Sequence, residues 1–192
     1  MHPVLRQYLT HFSVLGEEEI REIAENIPVQ DFKKGAILLK EGEIADKCYF
    51  VLKGCVRQYH CVDDEEKTTA FFTEKQAVVS FASYSQRIPG KHYWSCVEDS
   101  TLIIGSLDHE QEMYQKFPKL AAITRALVEQ DFGKTQEDFA TFITSSPEER
   151  YLNLLESRPE LLHRAPQHQI ASYLGVTPES LSRIRKRLVV KK

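Results

Sequence analysis

The sequence predicts an α+β fold: an N-terminal antiparallel β-roll, jelly-roll-like, with flanking helices, then a long dimerisation helix and a C-terminal helix-turn-helix domain. Three observations predict it. Short β-rich runs recur from Val29 to about Asp108, punctuated by Gly35, Gly42 and Gly54. A helical spacing then starts near Pro118 and resumes at Phe139 and Phe142. The last segment, "QIASYLGVTPESLSRIRKRL" (Gln169–Leu188), reads as helix, tight turn, helix.

In chain order, residues 3–27 form two short helices with a break near Ser13–Gly16. Leu5, Leu9 and Phe12 share one face, and Ile20, Ile23 and Ile27 another. "SVLGEEE" offers the second helix a cap and an acidic first turn. The runs "AILLK", "CYFVL", "VRQYHCV", "TTAFF" and "TLIIGS" are strands, and "DDEE" at 63–66 is a polar hairpin tip. Residues 109–145 return to helix, with Leu120, Ile123 and Leu127 at 3–4 spacing. A helix from Pro118 to Phe142 would be about 37 Å long. That exceeds what a small roll covers, so it pairs with a second copy of itself; the alternative is a break at Gly133. "SSPEER" starts another helix, capped by Ser146 with Pro147 at its first position. Leu152, Leu154 and Leu155 are expected to pack. "RPELLHRAP" is a connection with a short helical turn. The expected division is a sensor unit at 1–117, the long helix at 118–145 and a DNA-binding unit at 146–192.

Composition narrows the function classes. With 42% hydrophobic and 28% charged residues, the chain fits an ordinary globular protein. No run approaches the roughly 20 apolar residues of a membrane span, and the N-terminus lacks a signal-peptide pattern. No membrane partner is expected, and the expected compartment is the cytoplasm. Cys48, Cys55, Cys61 and Cys96 form no C-x-x-C pair and no zinc spacing, so they are expected to be buried, reduced thiols. Charge is uneven. From Pro166 onward six basic residues stand against Glu179 alone, a net of +5 that leaves −8 on residues 1–165. A basic module on an acidic body points to double-stranded DNA as partner.

The basic segment supports this in detail. Ile170, Ala171 and Leu174 give the first helix an apolar face, and Leu181, Ile184 and Leu188 give one to the second. Gly175 ends the first helix, Val176 fills the corner, Thr177 caps the second, and Pro178 takes its first position. The opposite face of the second helix carries Glu179, Ser182, Arg183 and Lys186, the layout that enters a major groove. Arg183 suits guanine and Glu179 suits cytosine. Thr177, Ser180 and Lys186 suit phosphates, as do Gln167 and Gln169 at the start of the first helix. Arg185 leans toward the buried side. The plain alternative is an amphipathic helical hairpin.

At this point the chain resembles the Crp–Fnr family of bacterial transcription regulators over nearly its full length. "FKKGAILLKEGEIADKCYFVLKGCVRQY" is similar to the opening of the family's cyclic-nucleotide-binding β-roll, and "IASYLGVTPESLSRIRK" to its helix-turn-helix. The resemblance implies a homodimer on a near-palindromic site, with RNA polymerase as a further partner. Against the family's R-E-x-x-x-R, Glu179 and Arg183 match and Pro178 replaces the first Arg. Only "VVKK" follows the recognition helix, so the family's β-wing is absent or minimal.

The effector region departs further. Members that bind cyclic AMP carry F-G-E-(L/I)-A and then R-(S/T/A)-A. Here Val79-Ser80-Phe81 stands where Gly-Glu-Leu would, and Arg87 and Lys91 are the only nearby cations. Cyclic AMP is therefore not expected, and no cofactor is assigned. A diverged pocket for another small effector would use Ser80, Phe81, Ser83, Tyr84, Arg87, Lys91, Tyr93 and Trp94; simple core packing is the alternative for the aromatics. Two other classes stay open: a protein-interaction module with a vestigial DNA-binding end, and a cupin-like enzyme. The enzyme would need clustered His ligands, whereas His60 and His92 are isolated in sequence and no nucleophile or phosphate-loop motif occurs. Neither catalytic residues nor metal ligands are assigned.

Overall fold

The computed structural model describes residues 2–190. Helices α1 (Pro3–Leu9) and α2 (Glu17–Asn26) open the chain. The acidic start of α2 works as a cap: the Glu19 carboxylate accepts from the Gly16 N–H at 2.9 Å. Strands β1 (Val29–Phe32), β2 (Ile37–Leu39), β3 (Cys48–Lys53), β4 (Val56–Val62), β5 (Glu65–Phe72), β6 (Ala77–Val78), β7 (Tyr93–Cys96) and β8 (Ser100–Gly105) follow, with α3 (Phe81–Gln86) between β6 and β7. They form two four-stranded antiparallel sheets, ordered β1-β8-β3-β6 and β2-β7-β4-β5. This is the expected roll, and its two layers hold Leu39, Tyr49, Val51, Val56, Val78, Trp94 and Leu102 between them. The β4–β5 turn is tighter than the sequence implied. Asp63 and Asp64 alone make it, both at positive φ, and Glu65 and Glu66 already belong to β5.

Helix α4 (Leu107–Lys116) leads into α5 (Pro118–Thr144), 27 residues or about 40 Å long. Gly133 lies within it, so the broken-helix alternative is excluded. A satellite core joins α1, α2, α4 and the start of α5 to Phe50 and Ile103 on the outer face of the first sheet.

The C-terminal helices are α6 (Pro147–Ser157), α7 (Leu161–Arg164), α8 (Gln167–Tyr173) and α9 (Pro178–Val190). Ser146 and Glu149 close a reciprocal cap at α6, with bonds of 3.3 and 2.8 Å. Of the three leucines expected to pack, only Leu154 is buried; Leu152 and Leu155 are exposed. The α6 stripe is Tyr151–Leu154, three apart, which turns the other two outward. The thiols also divide: Cys55 and Cys96 are buried and Cys48 half-buried, but Cys61 is exposed near the β4 hairpin end. The expectation of a minimal wing at 189–192 extends, through Lys191 and Lys192, outside the described residues.

Candidate functional site

The α8–turn–α9 unit is built as its residues dictate. Ile170, Ala171 and Leu174 of the first helix and Leu181 and Ile184 of the second are all buried in one core. Gly175 takes φ +70°, and an added Cβ would lie 3.1 Å from Arg150 Nη1. The Thr177 Oγ1 accepts the Ser180 N–H at 3.2 Å. Opposite the buried side, Thr177, Glu179, Ser182, Arg183 and Lys186 are exposed and Ser180 is half-exposed. Its own backbone N–H and then the Thr177 side chain hold the Glu179 carboxyl below the usual range. Glu179 therefore stays ionised beside Arg183, which donates through Nε to the Glu179 carbonyl at 3.4 Å. Two placements differ from the sequence reading. Arg185 is exposed rather than turned inward. Gln169 has its Oε1 buried with no partner among the described residues, so of the two glutamines Gln167 alone is exposed and able to reach a phosphate.

The helical unit does not hang free on α5; it is docked on the roll. Ser172 Oγ accepts the Thr68 N–H at 2.9 Å and donates to the Glu66 carbonyl at 3.1 Å, fixing α8 along β5. Tyr173 stands edge-on to Phe71 at 5.3 Å. Arg158 donates to the Phe71 carbonyl at 3.0 Å and to Thr73 Oγ1 at 3.1 Å. Arg164 forks onto Glu74 with two 2.8 Å bonds and reaches Glu98 at 2.8 Å through Nε. Although burial alone would raise it, the Glu74 carboxyl is held below the usual range by Arg164 and the Gly54 N–H. One core spans the junction, with Cys55, Phe71 and Val97 of the roll packed with Tyr151, Leu154 and Leu161. A second clamp joins α5 to the turn: Arg150 donates to the Phe142 carbonyl at 2.9 Å and to the Leu174 carbonyl at 3.2 Å, and stacks on the Phe142 ring at 3.8 Å. None of these arginines and glutamates was singled out from sequence. The roll partners of Arg158 and Arg164 lie 66 to 90 residues away, and no local spacing announces that.

The eight residues expected to line an effector pocket do not share one cavity, which corrects that reading. Trp94 is 1% exposed between the sheets, donates to Gln58 Oε1 at 3.0 Å and meets Tyr49 edge-on at 6.2 Å. Ser83 is equally buried, accepting from the Ala45 N–H at 2.8 Å and donating to the Ile88 carbonyl at 2.6 Å. Tyr93 stacks on Tyr59 at 5.0 Å. Arg87 ends α3 at φ +56°, and both it and Lys91 are exposed, while Ser80 precedes the helix. The physical reason is alternation: neighbouring residues of β7 face opposite sides of their sheet. Phe81 and Tyr84 do line a cavity, but one outside the roll. It measures about 280 Å³ and lies between the outer face of the first sheet and α1, α3, α4 and α5. Tyr84 donates to Glu110 at 3.0 Å there. Burial and then Glu110 push the neighbouring Cys48 thiol up to about 12. Within the roll, the His60 and His92 rings meet at 5.8 Å, and burial followed by His60 lowers the His92 pKa.

The comparisons with known proteins follow this architecture. A family model described as the cyclic nucleotide-binding domain matches residues 29–116. The nitrogen fixation regulation protein FixK of Rhizobium meliloti (strain 1021) is 27% identical over 169 residues, covering 83% of this chain and 74% of that protein. The chain thus carries a match to the cyclic nucleotide-binding domain and is similar to a nitrogen fixation regulator along most of its length. Solved structures share this fold over most of the chain. The c-di-GMP responsive global regulator CLP of Xanthomonas campestris matches with a TM-score of 0.69 at 18% identity, over 89% of this chain and 90% of that one. FixK2 of Bradyrhizobium japonicum matches with 0.67 at 17% identity, over 86% and 85%. Among the described residues, no helix is long and apolar enough to cross a membrane, and no group of three or more His, Cys, Asp or Glu side chains is placed to hold a metal ion.

Proposed function

We propose that this chain is a sequence-specific, DNA-binding transcription regulator, acting as a homodimer on a near-palindromic site. One observation carries the reading. The polar face of α9 stays open to solvent while the helical unit is locked onto the roll by α6, α7 and α8. A helix offering Glu179, Ser182, Arg183 and Lys186 from a rigid base has the form of a groove reader. The roll with α1–α4 (1–117) acts as sensor, α5 (118–145) as coupler, and 146–192 as DNA-binding unit. Arg183 and Glu179 read base edges; Thr177, Ser180, Ser182, Lys186 and Gln167 fix register on phosphates. Contact with RNA polymerase from a cytoplasmic dimer completes the proposal.

Selection from random duplex DNA tests it. The expected product is a two-fold related pair of half-sites about 34 Å apart centre to centre, bound with a steep salt dependence. Enrichment of no motif, at any salt concentration, would leave the interaction-module reading as the better one.

A further inference from the structure

We propose that His60 and His92 together hold one divalent transition-metal ion of the nickel, copper or zinc class, which bridges β4 to the entry of β7. The site goes beyond the regulator reading and does not depend on it.

The sheet brings the two side chains together. Tyr59 pairs with Tyr93 in the antiparallel β4–β7 ladder. One step on along β4 and one step back before β7, His60 falls opposite His92. Side chains two apart share a face, so His60 lies on the side of Gln58 and His92 on the side of Trp94. The Trp94 indole donates to Gln58 Oε1 at 3.0 Å and floors the pair, with the His92 and Trp94 rings 5.3 Å apart. The two imidazole centres are 5.8 Å apart. Two imidazoles on one tetrahedral ion, with bonds of about 2.0–2.1 Å, have their centres about 5–6 Å apart.

A second observation points to a ligand. His92 Nε2 is buried and has no hydrogen-bond partner among the described residues. A buried nitrogen left unpaired is costly, and ring packing alone leaves it so. A metal ion satisfies it. The ligand type then selects the ion: imidazole nitrogens suit nickel, copper and zinc, whereas magnesium and calcium require oxygen. Around the pair, Glu41 contributes negative charge at His92, and Lys67, opposite His60 on β5, is tied to Glu65. Cys61 points to the other side of the sheet by alternation and is not a ligand. His60 is half-exposed, and Cys61 and Val62 beyond it are exposed, so the ion enters from the hairpin side and water fills its other positions.

Trp94 is the chain's single tryptophan and reports on the site. The full-length chain, stripped with EDTA and dialysed, is titrated with NiCl2 while its fluorescence is followed. The expected result is saturable quenching with one ion per chain at micromolar nickel. ZnCl2, whose filled d shell does not quench, should displace nickel and restore the emission; MgCl2 should do nothing. His92→Phe keeps a ring on Trp94 without its nitrogens, and His60→Gln removes the other imidazole. Each should weaken nickel binding about a hundredfold, since a chelating pair is reduced to a single ligand. Nickel at a hundredfold excess over its Kd should raise the wild-type Tm by about 5–10 °C and leave both variants unmoved. Absence of saturable quenching overturns the site, as does wild-type nickel affinity in either variant. Should His92→Phe not fold, His60→Gln at the half-exposed position decides the matter. NMR of the wild type decides it without substitution: zinc should shift the ring signals of His60 and His92, and unshifted rings overturn the pair.

Discussion

Arg183 and Lys186 lie three residues apart on one exposed face, yet different substitution effects are expected. Arg183 has the planar fork that pairs bidentately with a guanine edge, so Arg183→Ala should cost about 1–3 kcal/mol on the selected site and relax preference at one base position. Lys186→Ala should weaken binding to every duplex by a similar factor and lower the salt slope by about one. Competition assays against scrambled DNA separate the two; intact sequence preference in Arg183→Ala would show that the docking is wrong. Gly175 is a different kind of residue. Its φ of +70° and the 3.1 Å approach of Arg150 leave little room for a side chain. Gly175→Ala should lose about 1–2 kcal/mol of stability from the left-handed backbone alone, read as a lowered Tm. Because the same residue sets the angle of the two helices, DNA affinity should fall with it.

At the scale of elements, the docking of the helical unit on the roll is held by charge as well as by packing. Arg164 grips Glu74 and Glu98, and the Glu74 carboxyl lies below its ordinary value in the folded chain. A carboxyl depressed on folding contributes stability that is present above the unfolded pKa, about 4.3, and is lost as pH falls through the folded value. Thermal unfolding should therefore lose stability between about pH 5 and pH 3, and Glu74→Gln should flatten that slope while lowering stability at pH 7. An unaltered slope in the variant would remove Glu74 from the latch. How legible these elements were in the sequence follows from the range of the forces that build them. The strands through Val56–Val62 and Ser100–Gly105, the Ser146 cap and the Gly175 turn are written in local pattern, and each is present. The latch is not local. Ser172 meets Thr68 across 104 residues of chain, and both read as ordinary surface polar residues. The effector pocket failed for a related reason: consecutive residues of β7 diverge, so Tyr93 and Trp94 serve different surfaces. The cavity that Phe81 and Tyr84 do reach is walled by helices from both ends of the sensor, which no single window of sequence contains.

For the whole molecule, α5 is the deciding element because it has two unlike faces. Its first half turns Leu120, Ile123 and Leu127 toward the roll, whereas Phe132, Phe139 and Ile143 stand 62%, 65% and 62% exposed. These three follow steps of seven and four, the spacing of a paired-helix seam, and a monomer rarely leaves such a row in water. Pairing along that row would place two α9 helices on one side of a rod whose span is set by about 40 Å of helix. It would also make DNA affinity depend on dimerisation, since the second half-site is then bound intramolecularly at a high effective concentration. Phe139→Glu puts a charge in the middle of the row without touching the roll face. Sedimentation should show a dimer for the wild type and a monomer for the variant at micromolar concentration. Affinity for the full palindrome should drop by about 10²–10⁴, while affinity for an isolated half-site changes little. A variant that remains dimeric would move the seam elsewhere on the molecule. A wild type that is monomeric on its palindrome would break the link between the long helix and the spacing of the two readers.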